Sequence, residues 1–376
     1  MSPRLTTVIL AAALAAAASH VAVHSDAGAQ QTGAPGMTGA VYTADETGNS
    51  ISAIDLASGR VTTVPLTISP HNAQITADGA RLLAVGEPAA VMHGHSQPSA
   101  GHAAQEREGL LVVLDSRALG GKPLATIRVG GHPAHVVADR AGRRAFVTLS
   151  GDNRVAEVDL ARRTVMRTVA TDRYPHGLRL SPDDRELYVA NVEGGSVSVI
   201  DTGTLKEAAR IPVGKAPVQV GFTPDGSRVY VSLRDENSVA VINTARRSVT
   251  EKIRVGDGPI QVHATPDGRH IYVANQGSEA APGDTVSIIE VATGQVTHTV
   301  RTGKGAHGVA VSDNGRFVFI TNTADATVSA IDASARKVVA TYRVGRGPNG
   351  VTFRAIGKLA LRTRRKTAMR LRWRKQ

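Results

Sequence analysis

Between residues 40 and 354 the chain is written in short runs in which apolar and polar positions alternate. One stretch shows four in succession: Gly177–Leu180, Glu186–Ala190, Ser196–Ile200 and Ala208–Val213. A period of two predicts strands with one face buried, and the Val, Ile, Thr and Tyr content suits a pleated surface. The breaks carry turn chemistry. Thr223-Pro224-Asp225-Gly226 and Thr265-Pro266-Asp267-Gly268 place Pro where φ is fixed near −65° and Gly where φ turns positive. An Asp closes the third run of most groups (Asp55, Asp115, Asp159, Asp201, Asp332), where its carboxylate can accept from the amides of the following turn.

The groups of four recur. Equivalent positions before the first run are Pro70, Pro133, Pro175, Pro217, Pro259, Ala306 and Pro348, separated by 63, 42, 42, 42, 47 and 42 residues. Two intervals exceed the period by 21 and 5 residues, and these excesses predict insertions within about 86–109 and 277–284. A unit of about 42 residues with four strands is the period of a propeller blade. The ends complete the count: Ala40–Thr67 supplies three strands, and Gly350–Arg354 supplies one more. The expected fold is therefore all-β, a seven-bladed β-propeller of four-stranded antiparallel blades. A carboxy-terminal first strand joins the amino-terminal blade and closes the ring.

The second runs carry a family signature. Tyr188-Val189-Ala190-Asn191, Tyr272-Val273-Ala274-Asn275 and Phe319-Ile320-Thr321-Asn322 resemble the YVTN motif, with Tyr230-Val231-Ser232-Leu233 and Phe146-Val147-Thr148-Leu149 as looser copies. Over roughly residues 40–354 the chain is similar to YVTN-repeat propellers. The resemblance implies the fold; relatives include surface-antigen and surface-layer proteins, periplasmic binding propellers, and the propellers of cytochrome d1 and amine dehydrogenase heavy chains. It does not by itself imply an activity.

Outside the repeats, residues 1–29 read as an export signal: Arg4, the apolar stretch Leu5–Ala18, then Ala27-Gly28-Ala29 as a cleavage site. The expected location is the periplasm, the medium or the cell surface, with no transmembrane span after cleavage. The propeller then occupies 30–354 and a basic tail 355–376. That tail holds nine Lys/Arg and no acid, leaving +3 of the formal +12 charge for the remainder. Nucleic acid is accordingly expected to be a partner only through the tail, which also reads as a solvated appendage or an out-of-frame end. The absence of cysteine excludes disulfides, thiolate-held metals and a Cys nucleophile.

The candidate chemistry is imidazole. His71, His176 and His307 share one repeat position in the loops that enter the first strands; His132 and His135 lie in the entry loop of another copy. The larger insertion adds Met92, His93, His95 and His102, and blade topology places it on the same face. His71, His93, His95, His102, His135, His176 and His307 are thus the candidate metal ligands, for Cu, Zn or Fe. The bland alternative is that these are turn histidines and a solvated flap. Two G-x-G-x-x-G matches, at 303–308 and 345–350, are followed by strands rather than helices and do not read as nucleotide sites. No catalytic constellation is legible; the carboxylates Asp45, Glu46, Glu193, Asp235 and Glu236 are spread over several units. The leading expectation is an exported, non-catalytic binding or interaction propeller that takes a small molecule or an envelope protein at its channel mouth. A metal- or haem-linked periplasmic propeller is the alternative, and a propeller enzyme such as a lactonase the second.

Overall fold

The computed structural model describes residues 36–89 and 108–355. These form seven four-stranded antiparallel sheets. Blades 2–7 are each continuous in sequence. Blade 1 takes Ala40–Asp45, Ser50–Asp55 and Val61–Pro65 from one end of the ring and Pro348–Arg354 from the other. Ala40 pairs with Arg354, and Asp45 with Pro348. The expected closure is therefore present, in the expected register direction.

Each blade runs outward from a first strand at the axis. The seven inner strands are Pro348–Arg354, Ile68–Ile75, Pro133–Ala138, Pro175–Leu180, Pro217–Phe222, Pro259–Ala264 and Ala306–Val311, for blades 1–7 in order. Each touches the next, and the last touches the first. Burial falls with distance from the axis: Glu186–Asn191 is buried beyond its first residue, whereas Lys206–Pro212 at the rim alternates exposed and covered positions. The alternation seen in sequence thus reports faces that pack against neighbouring blades.

The apolar side chains gather in seven clusters, one at each blade junction. The aromatic that opens the signature drives this packing. Tyr42, Phe146, Tyr188, Tyr230, Tyr272 and Phe319 are all fully buried, and burying such a ring removes on the order of 150–250 Å² from water. The turn acids behave as the repeats predict: Asp201 accepts from Thr204 N (2.7 Å) and Asp332 from Ala335 N (2.9 Å).

The third residue of the signature has a separate task. In blades 3, 5 and 7, two residues of the inner strand bulge out of register after its opening residue. The amide of the second bulged residue donates to the signature hydroxyl: His135 N to Thr148 (2.9 Å), Gln219 N to Ser232 (3.1 Å), Gly308 N to Thr321 (2.7 Å). The same hydroxyl then donates to a carbonyl of the next blade, as Thr148 does to His176 O (2.7 Å). Bulges of this kind re-aim side chains; here they turn two consecutive positions per inner strand toward the axis.

Candidate metal centre

His71, His135 and His176 belong to blades 2, 3 and 4, and the bulges aim all three at one point. One ring nitrogen from each lies within 4.8 Å of the others. His71 Nε2 and His176 Nε2 are 3.0 Å apart although blade 3 separates their strands. The His135 ring sits 4.7 Å from that of His176 and 5.7 Å from that of His71, centroid to centroid. These histidines were expected in loops; instead they lie inside the inner strands, because the bulge keeps the strand paired while it turns the side chain inward.

The outer nitrogens are committed. His71 Nδ1 lies 2.9 Å from Glu46 Oε1, and His176 Nδ1 lies 3.2 Å from the Val218 carbonyl oxygen. Burial alone would raise the Glu46 carboxyl. Hydrogen bonds and charge from His71, with a further bond from Asn349, more than offset it and hold the group at about 2. An ionised Glu46 can only accept, so His71 Nδ1 donates; a carbonyl can only accept, so His176 Nδ1 donates as well. The two Nε2 atoms therefore face one another at 3.0 Å with either a cation or a proton between them.

The third ring completes the group. His135 is almost fully buried, its Nε2 has no partner, and its Nδ1 meets Gln219 Nε2 at a long 3.4 Å. Burial, reinforced by the neighbouring His176 and His71, pushes its pKa well below the ordinary value; burial does the same to His176, down to about 3. Both are therefore neutral near pH 7, the form in which imidazole ligates metals. The side chains of His71 and Glu46 are 24% and 36% exposed, so solvent reaches the cluster from the mouth.

His307 holds the same repeat position in blade 7 but stands outside the three-nitrogen group. Its buried Nδ1 has no partner, and desolvation lowers its pKa to about 4. His132 sits at the rim, paired with Glu87 (2.8 Å). His93, His95 and His102, with Met92, lie outside the described residues. Glu46 was placed on the correct face from sequence, but its pairing with His71 was not foreseen. A groove of about 410 Å³ between the outer strands of blades 6 and 7 is bordered by Arg301, Asp325 and Arg343, and none of the channel histidines lines it.

The geometry can be set beside known proteins. Residues 204–372 match the model of the YNCE-like beta-propeller family. Over that stretch, somewhat less than half of its length, the chain is similar to this family. No curated protein matches it. Among solved structures, the propeller is similar to Kuenenia stuttgartiensis hydrazine synthase, with a TM-score of 0.62 and 21% identity, over 75% of this chain and 89% of that one. It is also similar to a functionally unknown protein from Desulfotomaculum acetoxidans DSM 771, with a TM-score of 0.68 and 14% identity, over 85% and 99%. At these identities the chain shares a fold with those proteins, and the chemistry of its mouth must be argued from its own residues.

Proposed function

We propose that this seven-bladed propeller is an exported ligand-binding protein whose channel mouth holds a divalent transition-metal ion through His71, His135 and His176. The observation that carries the reading is the pair of opposed Nε2 atoms 3.0 Å apart, each oriented by an acceptor on its ring's other nitrogen. Two bare lone pairs at 3.0 Å repel unless a positive charge lies between them. At metal–nitrogen distances of about 2.0–2.1 Å, two ligands of a tetrahedral ion stand roughly 3.3 Å apart, so the rings need open by only a few tenths of an ångström.

Three imidazoles without thiolate suit Zn, Cu, Fe or Ni, and the Glu46 carboxylate behind His71 is the outer partner that orients metal-bound histidines. A fourth coordination position is left for a ligand that enters through the mouth. Export is supported by Arg4, Leu5–Ala18 and Ala27-Gly28-Ala29 in the sequence.

The competing occupant of the His71–His176 gap is a proton. Elemental analysis of untagged protein, with and without a chelation step, separates the two. The metal reading expects about one ion per chain, and loss of that ion in a His71→Ala/His176→Ala variant that keeps its circular dichroism. Protein that takes up no Zn, Cu, Fe or Ni from micromolar solution would leave the shared proton as the explanation and overturn the metal.

A further inference from the structure

The inner strands carry a second ring of positions, three residues beyond the histidine register. It comprises Gln74, Val137, Arg179, Gly221, His263, Ala310 and Thr352. Most are small or apolar, which makes Arg179 conspicuous. Its only hydrogen bond among the described residues runs from Nη1 to the carbonyl of the adjacent Leu178 (3.0 Å), and no carboxylate there pairs with it. Desolvation lowers its pKa to about 10, so it remains charged. Its field reaches His135 in blade 3 and His263 in blade 6, and blade 5 stands between blades 4 and 6. The guanidinium therefore projects across the channel rather than into a blade junction.

Buried polar atoms without partners lie at this level and between it and the mouth. They include Gln74 Oε1, Gln261 Nε2, His307 Nδ1 and Asn349 Oδ1, all on inner strands. Buried polar groups normally find partners. Gln261 Nε2 is the donor among them, on the blade 6 strand that also carries His263, and beside an uncompensated cation it marks a space that is completed by something other than the chain.

We infer that the channel below the three histidines is a binding site for a small oxoanion or carboxylate, with Arg179 as its principal ligand and Gln261 as a second donor. The planar fork of arginine matches two oxygens of such a group, and charge-assisted bonds in a dry site are strong. His263 holds its proton on Nδ1, which donates to Ala264 O (2.8 Å), and it gains a second proton more readily once an anion neutralises Arg179. The site stands on Arg179 and does not require the metal above it.

The test uses the full chain stripped with chelator, so that failure of the metal reading leaves it intact. Acetate, nitrate and phosphate are titrated against chloride at constant ionic strength, followed by thermal shift and by the ring proton signals of His263. Saturable binding of acetate, nitrate or phosphate, with a rise in the His263 pKa from about 4, is expected. A preference for acetate would assign an organic carboxylate, and a preference for nitrate or phosphate an inorganic anion. Arg179→Gln should weaken binding roughly ten- to hundredfold, the worth of a charged hydrogen bond, with Arg179→Lys between. A wild-type protein whose response is unsaturable, or equal for chloride, overturns the site without any variant. An unchanged affinity in folded Arg179→Gln would also overturn it.

Discussion

Asp45 stands where blades 4, 6 and 7 have Asn191, Asn275 and Asn322, and the difference has a calculable cost. Its carboxyl is fully buried and accepts from Thr43 (2.6 Å), Ser52 (2.6 Å) and Ser50 (3.1 Å). Burial outweighs those hydrogen bonds and raises its pKa from 3.8 to about 6. Below the unfolded value both states are protonated. Between about 4 and 6 the folded state keeps a proton that the unfolded chain has lost, so stability falls as pH rises through this window. The shift corresponds to about 3 kcal/mol at pH 7. Asparagine avoids the charge. Its amide can donate to the two serine hydroxyls, as Asn191 does to Ser196 and Ser198 (3.0 Å each), while its Oδ1 still accepts from the Thr43 hydroxyl. Asp45→Asn should therefore gain about 1–3 kcal/mol at pH 7, roughly 1–4 °C for a domain of this size. Melting of both proteins at pH 4, 5, 6 and 7 checks this, and the gain should vanish near pH 4. A variant less stable than wild type at pH 7, or a difference that ignores pH, would refute the reasoning.

Two further outcomes follow from the inner strands. Desolvation holds both His263 and His307 at about 4, below an unfolded value near 6.5. Their contribution is complete above pH 6.5 and drains away as pH falls toward 4. In the Asp45→Asn background these two should remove on the order of 2–4 kcal/mol of stability between pH 6.5 and 5, and the depressed His135 and His176 add to the loss in the same direction; denaturant titration reads it, and a flat profile would contradict their burial. Thr148→Val removes the hydroxyl that joins His135 N to His176 O. It should cost about 1–2 kcal/mol and weaken metal binding by roughly tenfold or more, and calorimetric titration with Zn²⁺ that returns wild-type affinity would dismiss Thr148 as a positioning residue.

The architecture was legible because a propeller repeats its instructions. A period of 42 residues, a turn acid at the close of most third strands and complementary fragments at the two ends specified seven blades and the closure. Strand limits shifted by only a few residues; the unit at 175 begins at Pro175, and its fourth strand begins at Lys206. The site was half legible. Shared register drew attention to His71, His176 and His307, yet the group that forms includes His135, one position later in its repeat, and leaves His307 aside. The reason is the bulge, which sets two consecutive residues toward the axis and is invisible in an alternation pattern. Arg179 and His263 were passed over, although a signal existed: a charged and an ionisable residue at a register where other blades place Val137, Gly221 and Ala310. Glu46 lay far from His71 along the repeat, and only the ring geometry brings the two together.

The shared blade also fixes which way the molecule faces. Asp45 and Pro348 pair beside Glu46, Asn349 and His71, whereas Ala40 and Arg354 pair at the opposite rim. Both strands that bear the chain's way in and way out thus leave the ring side by side on its underside. A label or tether joined at Ala40 or Arg354 therefore departs from the face away from the imidazoles.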